Sequence, residues 1–198
     1  MPAAADRLGP VLPESWFQRD APVVGVELLN KILVSQNAAA EVVAGRIVEV
    51  EAYTEDDPAS HTFVGRTQRN EVMFGPAGRL YVYLSYGIHH CANVVTGSTG
   101  VGQALLLRAV VPVCGIETIR SRRRGRSDSE LANGPGKLCE AFAIGLSLYG
   151  ADLTSRASPI TIVDDGTEPP SSPLIGPRVG ISKGVETPWR FRVSGRMS

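Results

Sequence analysis

A strict two-residue alternation between Arg46 and Tyr53 predicts an extended strand. Successive residues of a strand point to opposite faces of a sheet. One set of these residues is apolar and predicts a core face, namely Val48, Val50 and Ala52. The other set places two carboxylates and a phenol on one surface, namely Glu49, Glu51 and Tyr53. The segment is therefore expected to pack on one side and to offer chemistry on the other.

Other segments have the length and composition of strands or helices. Strands are predicted at 32–35, 41–53, 80–86, 88–95, 101–110, 159–163 and 189–193. Helices are predicted at 13–17, from Pro22, at 113–123 and at 138–146, with a Pro-rich loop at 169–177. Ser85, Tyr86 and Gly87 predict a hairpin turn. Because no linker interrupts the 198 residues, we expect one mixed α/β (α+β) domain over 1–198 with a largely antiparallel sheet and a loose segment at 1–12.

The charge of the chain is neutral overall but uneven along its length. Twenty basic and 20 acidic residues cancel, so the total does not indicate a generally basic nucleic-acid binder. Residues 61–126 nevertheless carry nine Arg against two acidic residues. The planar guanidinium of Arg binds phosphate with two parallel hydrogen bonds. This segment therefore predicts one face that binds an anion.

Cysteine content and the lack of long apolar runs indicate an intracellular, soluble protein. Three cysteines without a CxxC pattern exclude a complete disulfide framework and favour a reducing compartment. The first ten residues lack the apolar segment of a signal peptide, and no run approaches the roughly 18 apolar residues of a membrane span.

Polar and aromatic residues on the predicted strands have two interpretations each. Glu51 is either a solvated charge or a general base. Asn93 and Arg108 interrupt apolar strands, either as satisfied buried side chains or as groups that hold a substrate edge and a water. Four tyrosines flank the Arg-rich loop, either as core or as a stacking site for a nucleobase: Tyr53, Tyr81, Tyr83 and Tyr86. Of these, Tyr81 is expected in the core.

The histidines and the arginine run carry no specific prediction. His89 and His90 are adjacent in a strand and face opposite sides, and Cys91 has no further ligands nearby, so a metal site is not expected. The run Arg120–Arg126 is typical of a solvated helix end or loop. The sequence contains no P-loop, dinucleotide fingerprint or Ser/His/Asp pattern.

An ordered series of motifs resembles the AAG-type 3-methyladenine DNA glycosylases, also called alkyladenine or methylpurine DNA glycosylases. The motifs are Gly45–Tyr53, Ala59–His61, Gly65–Asn70, Met73-Phe74, Tyr81–Gly87, Asn93–Val95, Leu105–Ala109, Asn133–Leu138, Gly176–Ile181 and Pro188–Phe191. Each motif alone is weakly specific, whereas the series is specific and covers about residues 22–193.

The resemblance implies a chemical role for matching residues. Glu51 matches the general base that activates the attacking water, and Arg108 matches the arginine beside it. Tyr53, His61 and Tyr83 match the pocket for the flipped base.

Two further matches concern the choice between purine bases and the contact with DNA. Asn93 matches the residue that disfavours the guanine amino group, and Tyr86 matches the wedge that fills the gap left by the flipped nucleotide. From their charge, Arg66, Arg69 and Lys137 are expected to contact the DNA backbone.

The resemblance implies a monofunctional DNA glycosylase of base excision repair. Such an enzyme flips alkylated, and in some cases deaminated, purines out of double-stranded DNA and hydrolyses their N-glycosidic bond by water attack at C1′. The implied fold is a curved, mostly antiparallel sheet with surrounding helices and a DNA-inserting hairpin. The implied protein is a DNA-associated monomer that uses no cofactor or metal, and an abasic-site endonuclease acts after it.

Two departures from the family pattern affect base preference. Gln68 stands where many relatives have Pro, and the loop at 55–60 is slightly short. The order of preference among 3-methyladenine, 7-methylguanine, hypoxanthine and ethenoadenine therefore stays open.

The alternative function is a non-catalytic nucleic-acid-binding module that uses the same basic, aromatic surface. Glu51 distinguishes the enzyme from the binding module, because a pure binder has no need of a carboxylate facing a phosphate-rich ligand.

Overall fold

The computed structural model describes residues 8–195, and its strands join into one sheet. The strands are β1 (Ile32–Gln36), β2 (Val42–Tyr53), β3 (Leu80–Ser85), β4 (His89–Val95), β5 (Ala104–Cys114), β6 (Ile160–Val163), β7 (Leu174–Gly176) and β8 (Arg190–Arg192). The helices are α1 (Glu14–Phe17), α2 (Ala21–Leu28), α3 (Ile116–Arg122) and α4 (Pro135–Ala141). Short 3₁₀ turns lie at Glu71–Phe74, Asp128–Glu130 and Leu146–Leu148.

The sheet has the order β3-β4-β5-β2-β1-β6, and β8 pairs with both β2 and β7. Each of these pairings is antiparallel. The mixed α/β class and the antiparallel sheet predicted from the sequence are thus confirmed.

The long strand β2 bends the sheet at its centre. Its first half pairs with β1, and residues Glu49–Glu51 pair with β8. Its register with β5 shifts on both sides of Glu49, so that Val48 and then Arg108 have no residue directly opposite. Such bulges bend a strand and re-aim its side chains. The bend therefore lies where the predicted chemical residues begin.

The apolar side chains of the sheet pack against the helices in one large core. This core includes Leu28 of α2, Ile47 and Val50 of β2, and Phe142, which follows α4. Both faces of β2 are largely covered, because its polar residues Glu49 and Glu51 are also buried. Their burial differs from the exposed surface that the alternation suggested.

Several predicted boundaries are wrong for local backbone reasons. Helix α4 begins at Pro135, which favours a first helical turn, and ends at Ala141 instead of Leu146, because Ala143 has a left-handed backbone with φ 54°. Strand β5 continues to Cys114, so α3 starts only after Gly115.

Both ends of the chain also contain differences from the prediction. The Pro-rich loop contains the short strand β7, which its composition concealed. Residues 1–7 of the predicted loose segment lie outside the described residues. In the described remainder, Leu12 is buried and its amide donates to the carbonyl of Ile162 at 2.9 Å, so this part packs against β6.

The predicted hairpin connects β3 and β4 and carries Tyr86 at its tip. Tyr86 has φ 50° and Gly87 has φ 70°, and the amide of Ile88 donates to the Ser85 carbonyl at 3.0 Å. Consecutive left-handed residues close hairpins without opposing the strand twist, but a bulky residue is strained there. This turn leaves the Tyr86 side chain 91% exposed.

Gly115, between β5 and α3, should tolerate no side chain. An added Cβ would lie 2.4 Å from the Val42 carbonyl oxygen, in a backbone with φ 70°. We expect Gly115→Ala to lower the free energy of unfolding in urea by about 3 kcal/mol, from the clash and the strained backbone together. Gly125→Ala is the control, because its φ is 75° with open space around it, and about 1 kcal/mol is expected there. Equal losses would contradict the steric argument.

Candidate active site

A cavity of about 490 Å³ opens beside the hairpin. Its walls come from β2, β3, β4 and β5, from the loop that contains His61 and from the segment 179–181. Six of the predicted site residues line it: Tyr53, His61, Tyr83, Tyr86, Asn93 and Arg108. Glu51, the predicted general base, does not line the cavity and lies behind its wall. Folding therefore brings together side chains that lie far apart along the chain.

Glu51 is a fully buried carboxylate, with 0% of its surface exposed. Its Oε1 accepts a hydrogen bond from the Val179 amide at 2.8 Å. Its Oε2 accepts from the Tyr53 hydroxyl at 2.9 Å and from Arg108 Nη1 at 3.3 Å. The interpretation as a solvated charge is wrong. Burial of a carboxylate is costly unless it is paired and hydrogen-bonded, and one cation with two further donors meets this requirement for Glu51.

Arg108 lies between two carboxylates. Its Nε donates to Glu49 Oε1 at 2.8 Å, while Nη1 reaches Glu51. The same Glu49 oxygen accepts from Arg190 Nε of β8 at 2.7 Å. Arg190, Glu49, Arg108 and Glu51 thus alternate in sign, and we call these four residues the charge row. The sequence pointed to Glu49 through its shared strand face, whereas Arg190 appeared only within the motif Pro188–Phe191, without a predicted role.

Tyr53 is held from behind by a second buried ion pair that sequence analysis missed. The Arg178 guanidinium carbon lies 4.6 Å from the centroid of the Tyr53 ring. Arg178 Nη2 donates to Asp57 Oδ1 at 3.0 Å, and Nη1 contacts the other oxygen of the same carboxylate. Burial, followed by the charge of Glu51, raises the pKa of Tyr53, so its hydroxyl remains a donor.

His61, Tyr81 and Tyr83 form an aromatic wall. The His61 and Tyr83 rings meet edge to face with centroids 4.6 Å apart, and Tyr81 stacks on Tyr83 at 5.5 Å. His61 Nδ1 is 2.8 Å from the Tyr81 hydroxyl. Burial raises the pKa of Tyr83, and it raises that of Tyr81 to about 12. Tyr81 is in the core as expected, but its ring also lines the cavity.

The imidazole of His61 is kept neutral by its surroundings. Burial is the main cause that lowers the pKa of His61, and the nearby positive charge of Arg69 lowers this pKa further. Nδ1 of the neutral ring and the protonated Tyr81 hydroxyl share one hydrogen bond. The wall therefore presents electron-rich, uncharged rings to a ligand.

Asn93 is buried at the cavity, and its Nδ2 donates to the Tyr81 carbonyl at 3.2 Å. It is thus a satisfied buried side chain and a cavity residue at the same time, so the two interpretations of the sequence do not exclude each other.

The three residues predicted to contact the DNA backbone lie in different environments. Arg66 is exposed and pairs with Glu71 at 2.8 Å, and Lys137 donates to Asn133 Oδ1 at 2.8 Å. Neither of them lines the cavity. Arg69 does, with its guanidinium carbon 5.4 Å from the centroid of the Tyr83 ring.

The arginine run is only partly solvated. Arg123 is 8% exposed, donates to the Leu131 carbonyl at 3.1 Å and pairs with Glu140. The predicted solvated end is therefore wrong for Arg123. Arg120 is open to solvent and pairs with Glu117 and Asp128.

Among residues 8–195, no three His, Cys, Asp or Glu side chains group closely enough to hold a metal ion. Of the helices there, none has the length and apolar character to cross a membrane. All three cysteines are free.

The lowered pKa of His61 predicts a loss of stability in acid. The unfolded chain takes up a proton near pH 6.5, above the pH at which the folded protein does, so stability is lost as the pH falls through that range. We expect the free energy of unfolding in urea to fall between pH 7.5 and pH 5, and to fall less in His61→Gln. His89→Gln is the control, and an equal effect there would show that burial of His61 is not the cause.

The chain is similar to one known protein family and to several named proteins. The family described as Methylpurine-DNA glycosylase (MPG) matches residues 15–197. A protein of Burkholderia lata is 48% identical over 189 residues, which cover 94% of this chain and 89% of the relative. Relatives from Carboxydothermus hydrogenoformans and Methanoculleus marisnigri are 45% and 44% identical, over 91% and 93% of this chain and 94% and 95% of their own lengths. All three bear the name "Putative 3-methyladenine DNA glycosylase".

Proposed function

The chain belongs to the methylpurine-DNA glycosylase family, and we propose that Glu51 and the cavity beside it carry out the reaction, hydrolysis of the bond between a damaged purine and its deoxyribose. The protein is a DNA glycosylase of base excision repair that acts on alkylated purines. The observation that carries the assignment of the site is the fully buried Glu51 carboxylate directly behind the cavity wall, where it is hydrogen-bonded to three residues that line the cavity: Tyr53, Arg108 and Val179.

The proposed chemical step uses Glu51 as general base. The purine flips out of the duplex into the cavity, and Glu51 takes a proton from a water that attacks C1′. The C1′–N9 bond breaks and its electron pair leaves with the base, while the water oxygen bonds to C1′. The same carboxylate stabilises the positive charge that develops on the sugar. This matches the logic of an inverting glycosidase, with water in place of a covalent nucleophile.

Arg108 and Glu49 are proposed as positioning residues for that carboxylate. Arg108 contacts Glu51 Oε2 and is itself held by Glu49, which Arg190 holds in turn. Arg108 thereby fixes one oxygen of the carboxylate. The Val179 amide fixes the second oxygen, so the orientation of the carboxyl group is set from both sides.

The aromatic residues are proposed to bind the flipped base. Tyr53, His61 and Tyr83 line the cavity with rings that can stack on a purine, and stacking on electron-rich rings favours a cationic alkylated base. Asn93, on the same wall, is proposed to disfavour the amino group of guanine. A neutral His61 avoids one positive charge in the binding site.

Tyr86 is proposed to fill the space that the flipped nucleotide leaves. Its ring projects from the tip of the β3–β4 hairpin beside the cavity, and the left-handed backbone that holds it there is strained for tyrosine. Strain of this kind is retained where the surroundings or the function require it. A protruding aromatic side chain can wedge between base pairs.

The exposed charges support binding to double-stranded DNA. Arg66 and Lys137 are proposed to contact phosphates, which predicts affinity that falls with salt. We further propose that the protein works as a monomer on intracellular DNA, without metal or cofactor, and that an abasic-site endonuclease processes the product.

The alternative, a binding module without catalysis, is not favoured. The matching family and the relatives are described as glycosylases. Glu51 is also held by three hydrogen bonds behind the cavity wall, and a pure binder has no need of a carboxylate there.

Glu51→Gln should abolish excision while leaving the binding of lesion-containing duplex largely intact. A general base contributes about 10²–10⁴-fold in rate, so single-turnover release of hypoxanthine and 7-methylguanine should fall by at least about 100-fold. Glu49→Gln is the matched control, because it makes the same change two residues away on the same face and acts only through Arg108, so a smaller loss is expected. Turnover retained in Glu51→Gln would remove Glu51 from its proposed role.

Tyr86→Ser should weaken binding to lesion-containing duplex by about tenfold or more, because the base stack loses its replacement. Thermal stability should stay the same or rise, since the substitution removes a strained bulky residue. Ile88→Ser, at an exposed apolar residue of the same turn, should have a smaller effect on affinity. Unchanged affinity in Tyr86→Ser would argue against the wedge.

A further inference from the structure

Arg69 is a cation in the aromatic cavity that the proposed mechanism does not use. It lines the cavity together with Tyr83, and its guanidinium carbon lies 5.4 Å from the centroid of that ring. Tyr149 anchors the backbone at this position, because its hydroxyl donates to the Arg69 carbonyl at 3.2 Å. The charge is therefore held at the mouth of the site that receives the base.

Arg69 differs from the other cavity arginines in its charge balance. Arg178 behind Tyr53 is neutralised by Asp57, and Arg108 lies between Glu49 and Glu51. For Arg69, no carboxylate of the described residues lies within ion-pair distance. The positive charge of Arg69 also acts on the aromatic wall, since it lowers the pKa of His61. Arg69 thus adds a net positive charge to the cavity.

A net positive charge has opposite effects on the two chemical classes of damaged purine. When the C1′–N9 bond breaks, its electron pair passes to the base. A purine with a fixed positive charge, such as 7-methylguanine, then becomes neutral, whereas hypoxanthine becomes an anion until it takes a proton from solvent. Once the base is bound, a nearby cation favours bond breaking in both classes, because each base gains one negative charge. Relative to the free duplex, however, the cation repels a base whose charge falls from +1 to zero and attracts a base whose charge changes from zero to −1.

Building on the proposed function, we propose that Arg69 is a specificity-determining residue that shifts the enzyme toward uncharged damaged purines and away from purines with a fixed positive charge. The aromatic rings alone favour cationic bases. Arg69 opposes this preference and so broadens the substrate range to bases that are poorer leaving groups.

The same arginine is exposed, so a phosphate contact is the competing role. The two roles make different predictions. A phosphate contact supports every duplex equally, because phosphates carry no information about the damaged base. A cation in the cavity acts on the two lesion classes in opposite directions.

The test compares single-turnover release of base from two duplexes of identical sequence, one with hypoxanthine and one with 7-methylguanine. The enzyme is in excess of DNA but well below saturation, so that the second-order rate constants are compared. In Arg69→Gln, we expect the ratio of the hypoxanthine rate to the 7-methylguanine rate to fall by about tenfold, which corresponds to about 1.4 kcal/mol. Arg69→Lys keeps the charge and should retain most of the wild-type ratio. Arg66→Gln removes an equal charge from the same loop outside the cavity, and should lower both rates by a common factor.

An equal fall of both rates in Arg69→Gln would overturn the inference in favour of a phosphate contact. The same change of ratio in Arg69→Lys as in Arg69→Gln would also overturn it, because the charge would not be the cause. Thermal unfolding of each variant identifies any general loss of structure. If the wild-type protein released neither base, the proposed function itself would fail, which is distinct from a specificity that Arg69 does not control.

Discussion

The charge row of Arg190, Glu49, Arg108 and Glu51 is the interaction on which the site depends. Burying an isolated charge costs several kcal/mol, so each member is tolerated only because its neighbour has the opposite sign. The row crosses β8, β2 and β5, and a register shift in β2 and β5 places Glu49 and Arg108 at its centre. Loss of Arg108 would leave the Glu51 carboxylate buried without a cation, whereas loss of Arg190 would leave Glu49 still paired with Arg108.

The bend of the sheet links this row to the surface that meets the substrate. The long strand β2 carries Glu51 and Tyr53 at its end, beside β5 with Arg108 and near the hairpin of β3 and β4. The loop that supplies His61 is held by Asn70, whose Nδ2 donates to the carbonyls of His61 at 2.8 Å and Gly65 at 3.0 Å. Acid–base chemistry, base stacking and the exposed Tyr86 therefore share one framework.

The buried charges near the cavity are paired with opposite charges, whereas the exposed Arg69 is not so paired within the described part of the chain. Within the charge row and within the Arg178–Asp57 pair, each cation contacts a carboxylate. Of the two arginines that line the cavity, Arg69 is the one without a carboxylate partner among residues 8–195. The proposed specificity between charged and uncharged bases rests on this difference.

The sequence by itself determined the elements whose signal is local, and tertiary structure decided the rest. The alternation over 46–53 identified β2, the hairpin at Tyr86 was visible in its turn residues, and the ordered motifs identified the family and the cavity residues. The early end of α4 and the short β7 were missed, because local pattern does not record a left-handed Ala143 or the pairing of a three-residue strand. Burial of Glu51, the ion pairs of Arg190 and Arg178, and the position of Arg69 over Tyr83 each join segments distant in the chain. Such partners depend on strand register and on the bend of the sheet, and these are set only when the whole domain packs.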